Sequence, residues 1–216
     1  MSISEKQIAN LLLQIKAIKI NVAKPFQWAS GWKSPIYCDS RKTLSYPQIR
    51  DVIKEHFITI IKDRFKSVQA IAGIATGAIA IGAIVADALN LPFIYVRSNQ
   101  KNHGLGNLIE GEIVADQKVV VVEDLVSTGG SSLTAVNALL NSNCDVLGMA
   151  AIFTYQFKGT EKRFNEAGCK LYALCNFKTL IEMAIQTGYL NNQELDIIQQ
   201  WHENPENWGV SPEMKR

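Results

Sequence analysis

From Tyr46 to Arg64 the apolar residues Ile49, Val52, Ile53, Phe57, Ile60 and Ile61 recur at helical spacing with charged residues between them, which predicts an amphipathic helix with one face on a core. A second such stretch opens the chain, where Met1 to Ile18 reads as a helix begun by a Ser4-x-x-Gln7 capping box. Between these helices, Gly31 and Pro35 break the segment from Phe26 to Arg41 into turns and short strands. This segment, within residues 20–45, is expected to form a small N-terminal hood. Beyond Arg64 two periodicities alternate. Strands are predicted at Val68 to Ala75, Phe93 to Arg97, Lys118 to Glu123, Asp145 to Thr154 and Lys170 to Leu174. Helices are predicted at Gly77 to Leu89, Gly130 to Asn141 and Glu161 to Ala167, with a polar segment from Ser98 to Leu108. Such alternation implies an α/β fold, a mostly parallel central sheet flanked by helices. Ligands of these sheets sit beyond the carboxyl ends of the strands. The polar tail from Trp201 onward carries Pro205 and Pro212, and its two Trp residues are read as pins to the body.

One stretch competes with this picture. No charged side chain stands between Lys66 and Asp87, and Gly73-Ile-Ala-Thr-Gly77 has the small-x-x-x-small form of packed membrane helices. The run is mostly Ala and Gly, however, and it breaks at Thr76-Gly77 between a β-branched half and a helical half. A buried strand and helix account for it, so no membrane partner is expected.

Composition narrows the class. The 216 residues, 47% hydrophobic and 19% charged, suit one packed domain spanning 1–216 rather than a disordered chain. With 22 basic against 20 acidic residues the net charge is only +2, so no extended basic track exists for a nucleic-acid backbone. Cys38, Cys144, Cys169 and Cys175 lack C-x-x-C spacing, and three histidines are few to help them hold zinc. The start lacks the features of a secretory signal, which makes the cytoplasm the default location and leaves the cysteines reduced.

The chemistry is concentrated between Lys118 and Leu139. Four valines, Val119 to Val122, predict a strand buried on both faces, which runs into the acids Glu123 and Asp124. Ser127, Thr128, Gly129, Gly130 and Ser131 then open a helix, where small residues let backbone N–H groups turn around an anion and the helix dipole favours negative charge. Either this is a phosphate cup, or it is a plain turn and helix cap beside a solvated acidic pair. The absence of Gly-Lys-Ser/Thr separates it from a Walker loop, and acids ahead of the glycines separate it from a dinucleotide fingerprint. Carboxylates beside such a cup suit the hydroxyls of a ribose 5-phosphate. Arg97, Lys101 and His103 cluster in the polar segment, either as a lid that brings positive charge to a polyphosphate or as a solvated basic loop. In the hood, Lys33, Tyr37 and Arg41 offer cations and an aromatic face to a planar anion, while Tyr37 is equally a core aromatic and Lys33 a surface charge. His56 and His202 lie in amphipathic helical contexts and read as structural.

The strand, the two acids and the Thr-Gly-Gly loop resemble the type I phosphoribosyltransferases, and the likeness runs from Phe26 to about Leu174. Ser30-Gly-Trp-Lys-Ser-Pro-Ile-Tyr-Cys-Asp39, Tyr95-Val-Arg-Ser-Asn-Gln-Lys-Asn-His-Gly104 and Ile109-Glu-Gly-Glu112 narrow it to the orotate-using branch. The resemblance implies transfer of the phosphoribosyl group of 5-phosphoribosyl 1-diphosphate (PRPP) to orotate, giving orotidine 5-phosphate and pyrophosphate with Mg²⁺ as cofactor. It assigns PRPP binding to Arg97, Lys101, His103, Glu123, Asp124, Leu125, Val126, Ser127, Thr128, Gly129, Gly130 and Ser131, with Lys101 and Asp124 catalytic. Orotate falls to Ser127, Tyr37, Lys33 and Arg41, and the metal is expected on substrate and water oxygens with no direct protein ligand. It also implies a homodimer in which a mobile lid at 98–112 reaches the partner site. The chain departs from enterobacterial members of the family at Ala29, Thr76-Gly77, Ser98 and around Tyr155, where polar contacts are absent or moved, and its first acid is Glu123 rather than Asp. A purine-base phosphoribosyltransferase, or a ligand-sensing regulator on the same fold, are the rival readings.

Overall fold

The computed structural model describes residues 5–97 and 108–209. Among the described residues six strands form the central sheet: β5 (Ala70–Ile74), β6 (Phe93–Val96), β7 (Ile109–Glu110), β8 (Lys118–Val126), β9 (Asp145–Thr154) and β10 (Leu171–Asn176). Their order is β10-β9-β8-β5-β6-β7, and every pairing is parallel except that of β7 with β6. Residues 70–74 of the charge-free run are thus a fully buried inner strand, and no described helix is long and apolar enough to cross a membrane.

Two short antiparallel ribbons precede the sheet: β1 (Ile18–Ile20) with β4 (Ile36–Cys38), and β2 (Phe26–Gln27) with β3 (Lys33–Ser34). The helices are α1 (Glu5–Gln14), α2 (Pro47–Arg64), α3 (Ile79–Leu89), α4 (Gly130–Asn141), α5 (Thr160–Glu166), α6 (Phe177–Gln186) and α7 (Asn192–Glu203), with a 3-10 helix at Ser40–Ser45. The first helix ends four residues earlier than its apolar pattern predicts, because Ile18 is taken up by pairing with Cys38. The last two helices lie beyond the strand–helix alternation. Of these, α7 starts with a reciprocal capping box between Asn191 and Glu194.

Alternate residues of β8 feed two cores. Val120 and Val122 pack with α1, α2, α3, α6 and α7, while Val119 and Val121 pack with Ala135, Val136 and Leu139 of α4 and Phe164 of α5. Trp201 of α7 is wholly buried and packs edge-on to Trp28 of the hood, Tyr155 and Phe157 at ring separations of 5.9, 5.7 and 5.4 Å. It therefore pins the C-terminal helix and the hood to one end of the sheet.

The chain crosses from β5 outward through β6 to β7, then returns to the other side of β5 and proceeds outward again through β8, β9 and β10. The connections after β5 and after β8 consequently part in opposite directions. Such a switch leaves a crevice at the carboxyl ends of these two strands.

Candidate active site

A cavity of about 530 Å³ occupies that crevice. Thr76 and Gly77 reach it from the end of β5, Arg97 from the end of β6, Glu123 to Leu125 from β8 and Ser131 from the first turn of α4. Cys38, Asp39 and Arg41 close it from the hood. A larger groove of about 730 Å³ runs along the β10 side past Arg64, Lys170 and Tyr172, but neither Asp124 nor the glycine loop lines it. The chemistry gathered in the sequence belongs to the smaller cavity.

The two acids are neighbours in sequence with opposite surroundings. Strand alternation aims Glu123 toward α4, where its carboxylate accepts hydrogen bonds from the Ser132 hydroxyl at 3.0 Å and the Asp124 backbone N–H at 3.0 Å. Glu123 is only 5% exposed, and burial, followed by the adjacent charge of Asp124, pushes its carboxyl well above the usual range. Asp124 faces the other way. It accepts a 2.7 Å hydrogen bond from the Ser40 hydroxyl, and a Cβ added to Gly77 would collide with its carboxylate. Gly77 is therefore a place of close approach where any side chain displaces the carboxylate.

The loop after β8 takes the form its residues predict. Gly129 is the residue before α4 and has φ +84°, a conformation that a side chain strains, and an added Cβ would stand 2.7 Å from the Phe164 ring. Ser127 and Thr128 are half-buried, Gly130 and Ser131 are exposed, and the Ser127 carbonyl accepts a 3.3 Å bond from the Thr160 hydroxyl. Of this loop, Ser131 in the first turn of α4 lines the cavity with Asp124, while Ser127 to Gly130 do not line it; the cavity thus meets the start of α4, the end of a helix that favours anions. Leu125 lines the cavity and Val126 is buried beneath it.

Arg97 lies 3.5 Å from Glu110 across the β6–β7 pair and is part of the cavity wall. Lys101 and His103 lie outside the described residues, as do residues 98–107 of the expected lid. In the hood, Arg41 reaches the cavity and is held by Asp39 at 2.6 Å, which raises the pKa of its guanidinium further. Cys38 stands beside it as a neutral thiol, its pKa raised by burial and by the charges of Asp124 and Asp39. Tyr37 and Lys33 do not line this cavity. Tyr37 packs on Phe26 with ring centres 5.5 Å apart, and the Lys33 ammonium donates to the Gly209 carbonyl at 3.1 Å. His202 is structural, with Nε2–H donating to the Tyr155 carbonyl at 2.6 Å and its ring stacked on Phe177 at 3.8 Å.

Sequence reasoning missed Ser40, which nothing in its own neighbourhood marks, and the tight seat of Asp124 on Gly77. The opposite facing of Glu123 and Asp124 is implied by strand alternation once β8 extends to Val126 instead of stopping at Glu123.

Cavity, glycine loop and acid pair define a class that comparison with known proteins establishes independently. Residues 42–192 match the family described as phosphoribosyl transferase domain. The orotate phosphoribosyltransferase of Porphyromonas gingivalis is 54% identical over 95% of this chain and 98% of its own, and that of Bacteroides fragilis 53% identical over 94% and 96%. In fold, the chain superimposes on the orotate phosphoribosyltransferase of Aeropyrum pernix with a TM-score of 0.73 at 24% identity, covering 85% of this chain and 99% of the other. The chain belongs to the phosphoribosyltransferase family, and within it to the orotate phosphoribosyltransferases.

Proposed function

We infer that this chain transfers the 5-phosphoribosyl group of PRPP to N1 of orotate, forming orotidine 5-phosphate and pyrophosphate in pyrimidine (UMP) biosynthesis. The observation that carries the reading is the meeting of the Asp124 carboxylate with the opening turn of α4 in one cavity at the switch point of the sheet. In this reading the 5-phosphate rests on the backbone from Ser127 to Ser131, and Asp124 holds the ribose hydroxyls. The bond from C1 to the pyrophosphate oxygen breaks with its electron pair going to pyrophosphate, N1 of orotate bonds to C1 from the opposite face, and the N1 proton passes to a pyrophosphate oxygen or to water. Negative charge grows on the leaving group and positive charge on the ring, so fixed charges at both ends lower the barrier. Asp124 serves the ring. Arg97, joined by Lys101 and His103 of the lid segment, serves the pyrophosphate, and Arg41 stands on the hood side of the cavity for the anionic base.

Among the described residues no group of three or more His, Cys, Asp or Glu side chains is placed to hold a metal ion, while the Asp124 carboxylate lines the cavity. The Asp124 oxygens are donors of the kind Mg²⁺ takes, and they would stand close to an ion carried mainly by substrate oxygens and water. When bound, the ion neutralises charge on the diphosphate. The same reading includes a cytoplasmic homodimer in which the part of the expected 98–112 lid that precedes β7 reaches the partner site, since Ile109 and Glu110 are paired with Val96 and Tyr95 in the sheet; the family resemblance supports it.

Incubation with PRPP, Mg²⁺ and orotate is expected to show loss of pyrimidine absorbance and formation of pyrophosphate, with no turnover of adenine, guanine or hypoxanthine. Turnover of a purine base with orotate inert would replace this reading by its purine counterpart.

A further inference from the structure

Ser40 belongs to the hood by sequence and touches the reaction centre by structure. It is only 2% exposed, and its hydroxyl donates to Asp124 Oδ2 at 2.7 Å across 84 residues of chain. Its own backbone is fixed in turn, since the buried Thr43 hydroxyl donates to the Ser40 carbonyl at 2.6 Å. Gly77 approaches the same carboxylate so closely that an added Cβ would collide with its Cγ. Asp124 is thereby held by one donor and crowded by bare backbone. A carboxylate at the mouth of an open cavity otherwise has several rotamers open to it.

We propose that Ser40 is a positioning residue that fixes the Asp124 carboxylate in the orientation that receives the ribose hydroxyls, linking the hood to the sugar-holding strand. The inference rests on the reading of this cavity as a ribose-phosphate site. A hydrogen bond to an ionised acceptor is among the stronger ones in proteins, and its loss here frees the acceptor to turn. Residues Asp39 and Arg41 flank Ser40 and line the same cavity, so this bond ties the hood wall of the cavity to Asp124.

The test uses Ser40→Ala and Ser40→Cys, the second keeping volume while removing the strong donor, each in wild-type and Asp124→Ala backgrounds. Binding of ribose 5-phosphate and of inorganic phosphate is measured by calorimetry, and kcat/KM with PRPP and orotate alongside. Both variants are expected to lose roughly 10- to 100-fold in ribose 5-phosphate affinity and in kcat/KM, the scale of one charge-assisted hydrogen bond. Phosphate affinity is expected to stay within about twofold, because the cup is untouched. In the Asp124→Ala background neither Ser40 change should add a further loss, whereas a merely structural role would give additive effects. Wild-type affinity for ribose 5-phosphate in both Ser40 variants, or full additivity, overturns the proposal. If Ser40→Ala fails to fold, Ser40→Cys decides alone. Selective loss of ribose 5-phosphate binding in a protein that does not turn over orotate sinks the proposed activity and leaves the positioning role standing. Absence of ribose 5-phosphate binding by the wild type removes both.

Discussion

One wall of the cavity is a continuous stretch of chain, β8 with its loop and α4, while the facing wall is gathered from the hood, the turn after β5 and the end of β6. The first wall follows from local rules. Four valines bury the strand, the alternation of side chains turns Glu123 inward and Asp124 outward, and Gly129 at positive φ starts the helix whose first turn opens on the cavity. The second wall has no such local origin. Ser40 reaches Asp124 because the 3-10 helix is held against the sheet, and the hood beneath it is fixed by rings more than a hundred residues away, Tyr155 and Trp201 among them. A contiguous wall tolerates change in the rest of the fold, whereas an assembled wall depends on all of it.

The strongest blow to this contrast falls on Asp124. Replacing Asp124 by Asn keeps the volume and an acceptor for Ser40 while removing the charge proposed to favour a cationic ring. Turnover is expected to fall by about a hundredfold or more, the range seen when a preorganised electrostatic group is lost, with a melting temperature close to wild type. Steady-state kinetics beside a thermal melt measure both. An Asp124→Asn enzyme within a few-fold of normal would remove the role given to this carboxylate.

The division between the walls is also the division between what the residues reveal in order and what they reveal only when folded. The helix Gly130–Asn141 and the strand Asp145–Thr154 have the bounds their periodicity predicts. Apolar repeats of that length leave few alternatives. The hood is legible only as turns and short strands, since ribbons of two or three residues carry no period. Neither the Ser40–Asp124 bond nor the fit of Gly77 to Asp124 is written locally, because each joins distant parts of the chain. Gly77, which with Thr76 stands out in sequence as a missing pair of polar side chains, is in the structure a place where a side chain has no room. Lys101 and His103 lie outside the described residues, so their roles rest on the resemblance.

A smaller effect separates the two acids of the contiguous wall. Burial and the Asp124 charge raise the Glu123 carboxyl well above its ordinary 4.5. The folded chain therefore keeps a proton that the unfolded chain releases, and the stability present below about pH 4.5 is lost as pH rises toward the folded value. Glu123→Gln removes this loss while its amide still serves Ser132 and the Asp124 N–H. The variant should melt like wild type near pH 4.5 and progressively higher than wild type toward pH 8. Each kcal/mol recovered appears as about 2–4 °C in a domain of this size. A constant difference across that range, or one that shrinks with rising pH, would show that Glu123 is not held in its neutral form by burial.

The smallest expected change tests how far the assembled wall extends into the hood. Lys33 carries an orotate-binding assignment by resemblance, yet in the structure its ammonium donates to the Gly209 carbonyl and its strand pairs with Gln27 on the ribbon away from the cavity. An exposed bond of this kind contributes little to stability, because both groups are as well served by water. Lys33→Ala is therefore expected to leave kcat and KM for orotate within about twofold of wild type, on the scale of surface substitutions that touch nothing functional. Arg41, which does line the cavity, supplies the contrast within the same hood. A tenfold or larger rise in KM for orotate in Lys33→Ala, with KM for PRPP unchanged, would mean that the ribbon turns its cation inward when the base binds. The hood would then act as a moving part of the site, and the assembled wall would include all of β3.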